Sequence, residues 1–250
     1  MCHGVIASIA PAARVIDITH GIAPQHILHG ALVLADSLAY MPAGIHLAIV
    51  DPDVGGNRRG IAVRSADGRL YVGPDNGLLI PAIDRFGGVV EAFELTNPAF
   101  MLDPVSPTFH GRDVFSPAAA YLANGVPPQA FGARVDPGDL VRVELPAARI
   151  EDEHVQTTVL IVDRFGNVRL NVSRGQLEEA GIHPGDTVEI EVDSRHFSAL
   201  YARTFTDVGR GALLLFEDSS QSIAVAVNSG SAARLLTILT GQGVGLSRGG

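Results

Sequence analysis

Apolar and polar positions follow two rhythms along the first half of the chain. After Pro24, the residues Ile27, Leu28, Ala31, Leu32, Leu34, Ala35 and Leu38 recur at helical spacing, which predicts a helix within 25–40. Residues 5–9 read as the end of an earlier amphipathic helix, stopped by Pro11. Short apolar runs at 15–20, 45–50, 59–64, 70–72 and 89–95 read as strands, with Asp67-Gly68 as a hairpin signal between two of them. Helical stretches are expected at 78–86 and at 116–124, the latter with Pro117 near its start. Strands alternating with helices predict a layered α/β domain over residues 1–133.

The rhythm then changes. Pro127-Pro128, Asp136-Pro137-Gly138 and Pro146 interrupt it, so a linker is expected over 134–153. From 154 to 240 the pattern is mostly β, with candidate strands at 157–162, 168–172, 187–192, 212–216 and 222–227. Turn signals such as Arg164-Phe165-Gly166-Asn167 and His183-Pro184-Gly185-Asp186 separate them. This predicts a small antiparallel β-barrel, followed by a Gly-rich flexible tail over 241–250.

Composition narrows the function classes. Hydrophobic content of 46% against 18% charged residues supplies a core and argues against disorder. A net charge of -9 disfavours nucleic acid as a partner. No apolar run is long enough to span a membrane, and the start has no basic region before its apolar residues, so neither an anchor nor a signal peptide is expected. Cys2 is the single cysteine, so no intrachain disulfide or cysteine-based zinc cluster is expected. A cytoplasmic location is the simplest reading.

Three polar loops carry the candidate chemistry. The run 45–50 ends in Asp51-Pro52, and the loop returns through Gly55, Gly56, Arg58 and Arg59. A carboxylate and a guanidinium at the carboxyl end of a strand mark a candidate ligand crevice. An ordinary Asp–Arg pair in a turn explains the same residues. The next loop, Gly73-Pro74-Asp75-Asn76-Gly77, is built from turn formers. The third, Phe109-His110-Gly111-Arg112-Asp113, precedes the helix at 116–124. Asp17, His20, Asp51, Asp53, Asp75, His110 and Asp113 also offer ligands for a two-metal hydrolase, although no His-x-x-x-His pair supports it and Arg58 argues against it.

Six motifs in order resemble the SAM hydroxide adenosyltransferase (SAM hydrolase) family, relatives of the fluorinase and chlorinase. They are Val15-Ile16-Asp17-Ile18-Thr19-His20, the Asp51 loop, Val72-Gly73-Pro74-Asp75-Asn76-Gly77-Leu78-Leu79, Thr108-Phe109-His110-Gly111-Arg112-Asp113-Val114-Phe115, Val162-Asp163-Arg164-Phe165-Gly166-Asn167 and Val227-Asn228-Ser229-Gly230-Ser231-Ala232-Ala233. The resemblance implies a homotrimer, with SAM between the first domain of one subunit and the second domain of its neighbour. It implies a catalytic triad at Asp51, Arg58 and His110. On chemical grounds Arg58 is expected to hold a water or hydroxide, and His110 to relay or accept a proton with Asp51 orienting its ring. The resemblance places substrate contacts at Phe109, Asp163, Phe165 and Asn167, and at Ser219, Asn228 and Ser229. It implies no metal and no cofactor, SAM being the substrate.

Departures from the family pattern carry expectations of their own. Halogenating relatives carry Tyr where this chain has Asp51 and His110, and the fluorinase a Ser where it has Gly111; these differences favour hydroxide over halide. Asp53, Leu170 and Gln221 stand where Gly, Thr and Gly are common. Family members open with a strand and a Thr-Asp-Phe-Gly loop that hold the ribose hydroxyls, whereas this chain begins with Met1-Cys2-His3-Gly4, inside the helix that follows, so either the true start lies upstream or this form lacks that strand and its ribose ligands. A non-catalytic SAM- or adenosine-binding protein is therefore the alternative expectation.

Overall fold

The computed structural model describes residues 1–249. The chain divides into two compact units, Met1–Val143 and Glu144 onward. The segment expected as a linker is thus shared between them. Its first part belongs to the first unit, where Arg134–Val135 pairs with a neighbouring strand.

The first unit contains α1 (Cys2–Ile9), α2 (Ile27–Leu38), β1 (Ile45–Leu47), β2 (Gly60–Ser65), β3 (Leu70–Pro74), α3 (Ile80–Arg85), β4 (Val89–Glu94), α4 (Ser116–Ala123) and β5 (Arg134–Val135). The sheet order is β1-β3-β2-β4-β5. Only β1 and β3 are parallel; the other pairs are antiparallel. Side chains alternate across a strand, so the two faces of the sheet build two cores. Ile61, Val63 and Tyr71 meet α2 and α3 on one face. Ala62 and Val72 meet Phe115 and α4 on the other. α1 packs on α4 through Ile6, Ala10 and Ala120.

Two expected strands differ. Among the described residues, 15–20 pair with no strand, and Val15 and Ile16 are each 45% exposed. Their apolar run has the composition of a strand but no neighbour to complete its hydrogen bonds. The run 45–50 is a strand only over Ile45–Leu47, and β1 lies at the edge of the sheet. Beyond it, Ala48 still donates its N–H to the carbonyl of Val72.

The second unit contains β6 (Arg149–Glu151), β7 (His154–Val162), β8 (Val168–Leu170), α5 (Arg174–Glu179), β9 (Thr187–Val192), β10 (Arg195–Tyr201), β11 (Leu213–Glu217), β12 (Ile223–Val227), α6 (Ala232–Leu236) and β13 (Gly243–Arg248). The order β13-β9-β10-β11-β12-β8-β7 closes through β13–β7 pairing into a seven-stranded barrel, with β6 added beside β7. One pair, β10–β11, is parallel, so the barrel is not purely antiparallel. The tail expected to be loose contributes β13, which pairs with both β7 and β9 and buries Val244 and Leu246. Glycine content marked it as flexible, but closing the barrel requires it; only residue 250 lies outside the described residues.

Candidate active site

Asp51 stands where the chain leaves β1, and a tight turn brings Arg58 back toward it. Asp53 O accepts the N–H of Gly56 within this turn. Gly55 has φ +78, and a Cβ there would lie 2.2 Å from the carbonyl oxygen of Pro107. Only glycine lets the Asp51 loop approach the backbone that leads into His110 this closely.

The loop at 73–77 anchors the Asp51 loop. Asn76 Nδ2 donates to Val50 O at 2.8 Å, and Asn76 Oδ1 accepts the Leu78 N–H. Asp75 is buried and takes the Arg59 guanidinium, while its other oxygen accepts the Val141 N–H. Asn76 is a positioning residue that the sequence showed as a turn former inside a family motif.

His110 precedes a π-helical turn, Gly111–Phe115, which runs into α4. Such wide turns recur at functional sites because they re-aim side chains. Asp113, 1% exposed, accepts the Ser106 N–H and both arms of Arg112, fastening the approach to His110.

These loops join three side chains. Arg58 Nε and Nη2 donate to the two oxygens of Asp51 at 2.8 and 2.5 Å, and Nη2 donates to His110 Nδ1 at 2.9 Å. The Arg58 and Asp51 side chains are 9% and 6% exposed. The Phe115 ring lies 5.1 Å beneath the guanidinium, a contact with no advance signal in the sequence. The expected order is therefore corrected: Arg58, not Asp51, holds the His110 ring. A guanidinium has no acceptor, so His110 Nδ1 must accept and the neutral ring carries its proton on Nε2.

Burial, and then the Arg58 charge, lower the pKa of His110, against weaker opposing effects of Asp51 and Asp113. The ring accordingly stays neutral at neutral pH and protonates only below the usual histidine range. Replacing Arg58 by Ala is expected to move the His110 titration upward, read from its imidazole resonances by NMR. An unchanged titration would remove Arg58 as the partner of the ring.

Asp51 and His110 face a cavity of about 610 Å³ within the first unit, with Phe109, Thr108 and Ile49 beside them. Arg58 sits behind this wall rather than on it. His46, on β1, also lines the cavity; burial pushes its pKa down to about 4, so it too is neutral. Three of the acids offered for a two-metal site are committed elsewhere: Asp51 to Arg58, Asp75 to Arg59, and Asp113 to Arg112.

In the second unit, Asp163 holds its own turn. Its Oδ1 accepts the N–H groups of Phe165 and Asn167, and its Oδ2 accepts Asn167 Nδ2 at 2.8 Å. Phe165 is 63% exposed and carries the Arg164 guanidinium at 4.9 Å. The carbonyl of Gly166 accepts the Ala233 N–H, so this turn packs on the segment that begins with Asn228 and Ser229. Asn228 donates to Val208 O and accepts from Ser229 Oγ. Ser219 lies before β12 and Asn228 after it, which puts about 17 Å of strand between them. Five of the six candidate residues here therefore share one barrel end, and Ser219 lies at the other. Gln221 has φ +61, so the turn it occupies is one that glycine fills without strain.

Comparison with known proteins identifies the family. Residues 1–132 match the model of the SAM hydroxide adenosyltransferase N-terminal domain, and 157–245 that of the C-terminal domain. The chain is 46% identical to an (R)-S-adenosyl-L-methionine hydrolase from Salinispora arenicola over 99% of its own length and 92% of that protein. It is 38% identical to a protein of the same name from Thermus thermophilus, over 97% and 91% of the two chains. A crystal structure of an uncharacterized conserved protein from Thermotoga maritima superposes with a TM-score of 0.91 at 33% identity, covering 99% of this chain and 94% of that one. Two matched domains in order, and full-length relatives well above chance similarity, place this chain in the SAM hydroxide adenosyltransferase family.

Proposed function

We propose that the protein transfers the adenosyl group of SAM to water, giving adenosine and L-methionine. The observation that carries this reading is the Asp51–Arg58–His110 cluster on the wall of a cavity, in a chain of this family. The relatives named above are (R)-S-adenosyl-L-methionine hydrolases, so the (R) sulfonium epimer is the first substrate to assay.

The chemistry suits the cluster. The C5′–S bond breaks with its electron pair going to sulfur, and methionine leaves as a neutral thioether. Departure therefore needs neither an acid nor a metal. The demand falls on the water, which is a poor nucleophile until a proton leaves it. Asp51 offers the cavity a carboxylate that can accept that proton, and His110 Nε2–H can donate to the same oxygen. Arg58 holds both partners and places a positive charge behind the oxygen as negative charge develops. The new O–C5′ bond completes adenosine, and the proton passes to solvent.

The turn around Asp163, Phe165 and Asn167, with Asn228 and Ser229, is the proposed methionine and adenine end, and Phe109 packs near the reacting carbon. Ser219, at the other barrel end, is proposed as a separate substrate contact, in a homotrimer whose sites lie between subunits. Sedimentation equilibrium giving a monomer would remove that arrangement. Among the described residues no helix is long and apolar enough to cross a membrane, and a cytoplasmic enzyme is proposed.

The deciding assay incubates purified protein with SAM, with and without chloride and EDTA, and identifies products by mass. Adenosine and methionine are expected in every sample. A 5′-chlorinated adenosine would overturn the hydroxide assignment, and loss of turnover in EDTA would favour a metal-dependent hydrolase. Retention of SAM without any product would favour a binding protein.

A further inference from the structure

α1 and the unpaired segment after it bring three ligand side chains to one point, outside the Asp51–Arg58–His110 cluster. His3 Nε2 stands 2.7 Å from Asp17 Oδ1, and His20 Nε2 stands 3.3 Å from the same oxygen. One ligand atom from each residue lies within 4.8 Å of the other two. The two imidazoles tilt toward each other at 58°, with centroids 6.1 Å apart. All three side chains are exposed and line the cavity wall.

We propose that His3, Asp17 and His20 form a binding site for a divalent transition metal of the zinc type. Two imidazole nitrogens and one carboxylate oxygen are a donor set that zinc takes, with a water completing the sphere. Magnesium and calcium favour all-oxygen sites and fit it poorly. Both Nε2 atoms converge on a single oxygen, so the nitrogens already face a shared point. Exposed side chains reach metal–ligand distances by small rotations, without disturbing a core.

The position gives the ion a structural role. Among the described residues, the segment 15–20 joins no sheet, and Val15 and Ile16 are half exposed. An exposed hydrogen bond between His3 and Asp17 ties it to α1. A metal shared by His3, Asp17 and His20 replaces that hydrogen bond by a cross-link between α1 and this segment. This goes beyond the hydrolase reading and does not depend on it.

The test uses the full chain, stripped with EDTA and exchanged into chelator-free buffer at neutral pH. Calorimetric titration with zinc chloride is expected to show a site that Asp17→Asn and His20→Ala each weaken by at least about tenfold. His183→Ala, which alters an exposed histidine in the other unit, is expected to leave it unchanged. In the unmodified chain, zinc is expected to shift the imidazole resonances of His3 and His20 together, and to raise the melting temperature. The proposal is overturned if no zinc binds, if both variants bind as the parent does, or if those two resonances stay in place. Circular dichroism of the variants checks that the fold is retained, and the resonance shifts need no variant at all.

Discussion

Arg58→Ala is expected to lower the turnover of SAM by about 10²–10³, the range found when one preorganised donor is removed from a site of developing charge. Arg58 does not line the cavity, so the affinity for SAM should remain close to that of the parent. The loss should therefore fall on kcat and not on binding, read by single-turnover kinetics and calorimetry side by side. The reason is geometric. One guanidinium spans both oxygens of Asp51 and the Nδ1 of His110, and without it neither partner keeps its orientation or its nearby charge. Undiminished turnover in the variant would remove Arg58 from the mechanism.

Asp51→Ala is expected to destabilise the protein as well as silence it. The variant leaves the Arg58 charge buried without its carboxylate, and breaking a buried pair from one side costs about 3–5 kcal/mol. Denaturant unfolding would show this as a lower midpoint. Replacing both partners, as Asp51→Leu with Arg58→Met, should recover much of that stability because no charge is stranded. Turnover should stay lost in the double variant. Recovered stability with no recovery of activity separates the packing role of the pair from its chemical one. If Asp51→Ala kept both stability and turnover, the pair would be an ordinary loop contact.

The family signal and the loop chemistry were legible because both are local. Asp51 and Arg58 are a few residues apart around a Gly-Gly turn, and His110 stands just before Gly111 and a helix start. The strand pattern of the barrel unit was legible for the same reason, since alternation is a property of adjacent residues. Residues 15–20 and 241–250 show where local signals fail. The former have the composition of a strand and lack a partner; the latter have the composition of a loose tail and close a barrel. Whether a segment becomes a strand depends on what lies beside it, and that is a property of the fold.

The residue types and order of the motifs, and with them the family and the nature of the reactive groups, were determined by the sequence. The order within the triad was decided by the tertiary structure. Asp51 was expected to orient His110, yet the chain places Arg58 between them. That placement follows from Gly55 passing the Pro107 carbonyl, from Asn76 holding Val50, and from Phe115 lying under the guanidinium. Each is a contact between distant parts of the chain, and the tautomer of His110 follows from them. The meeting of His3 with Asp17 and His20 was decided in the same way. Side chains can read as solvated surface in the sequence and still face one another once a helix packs against the segment that follows it.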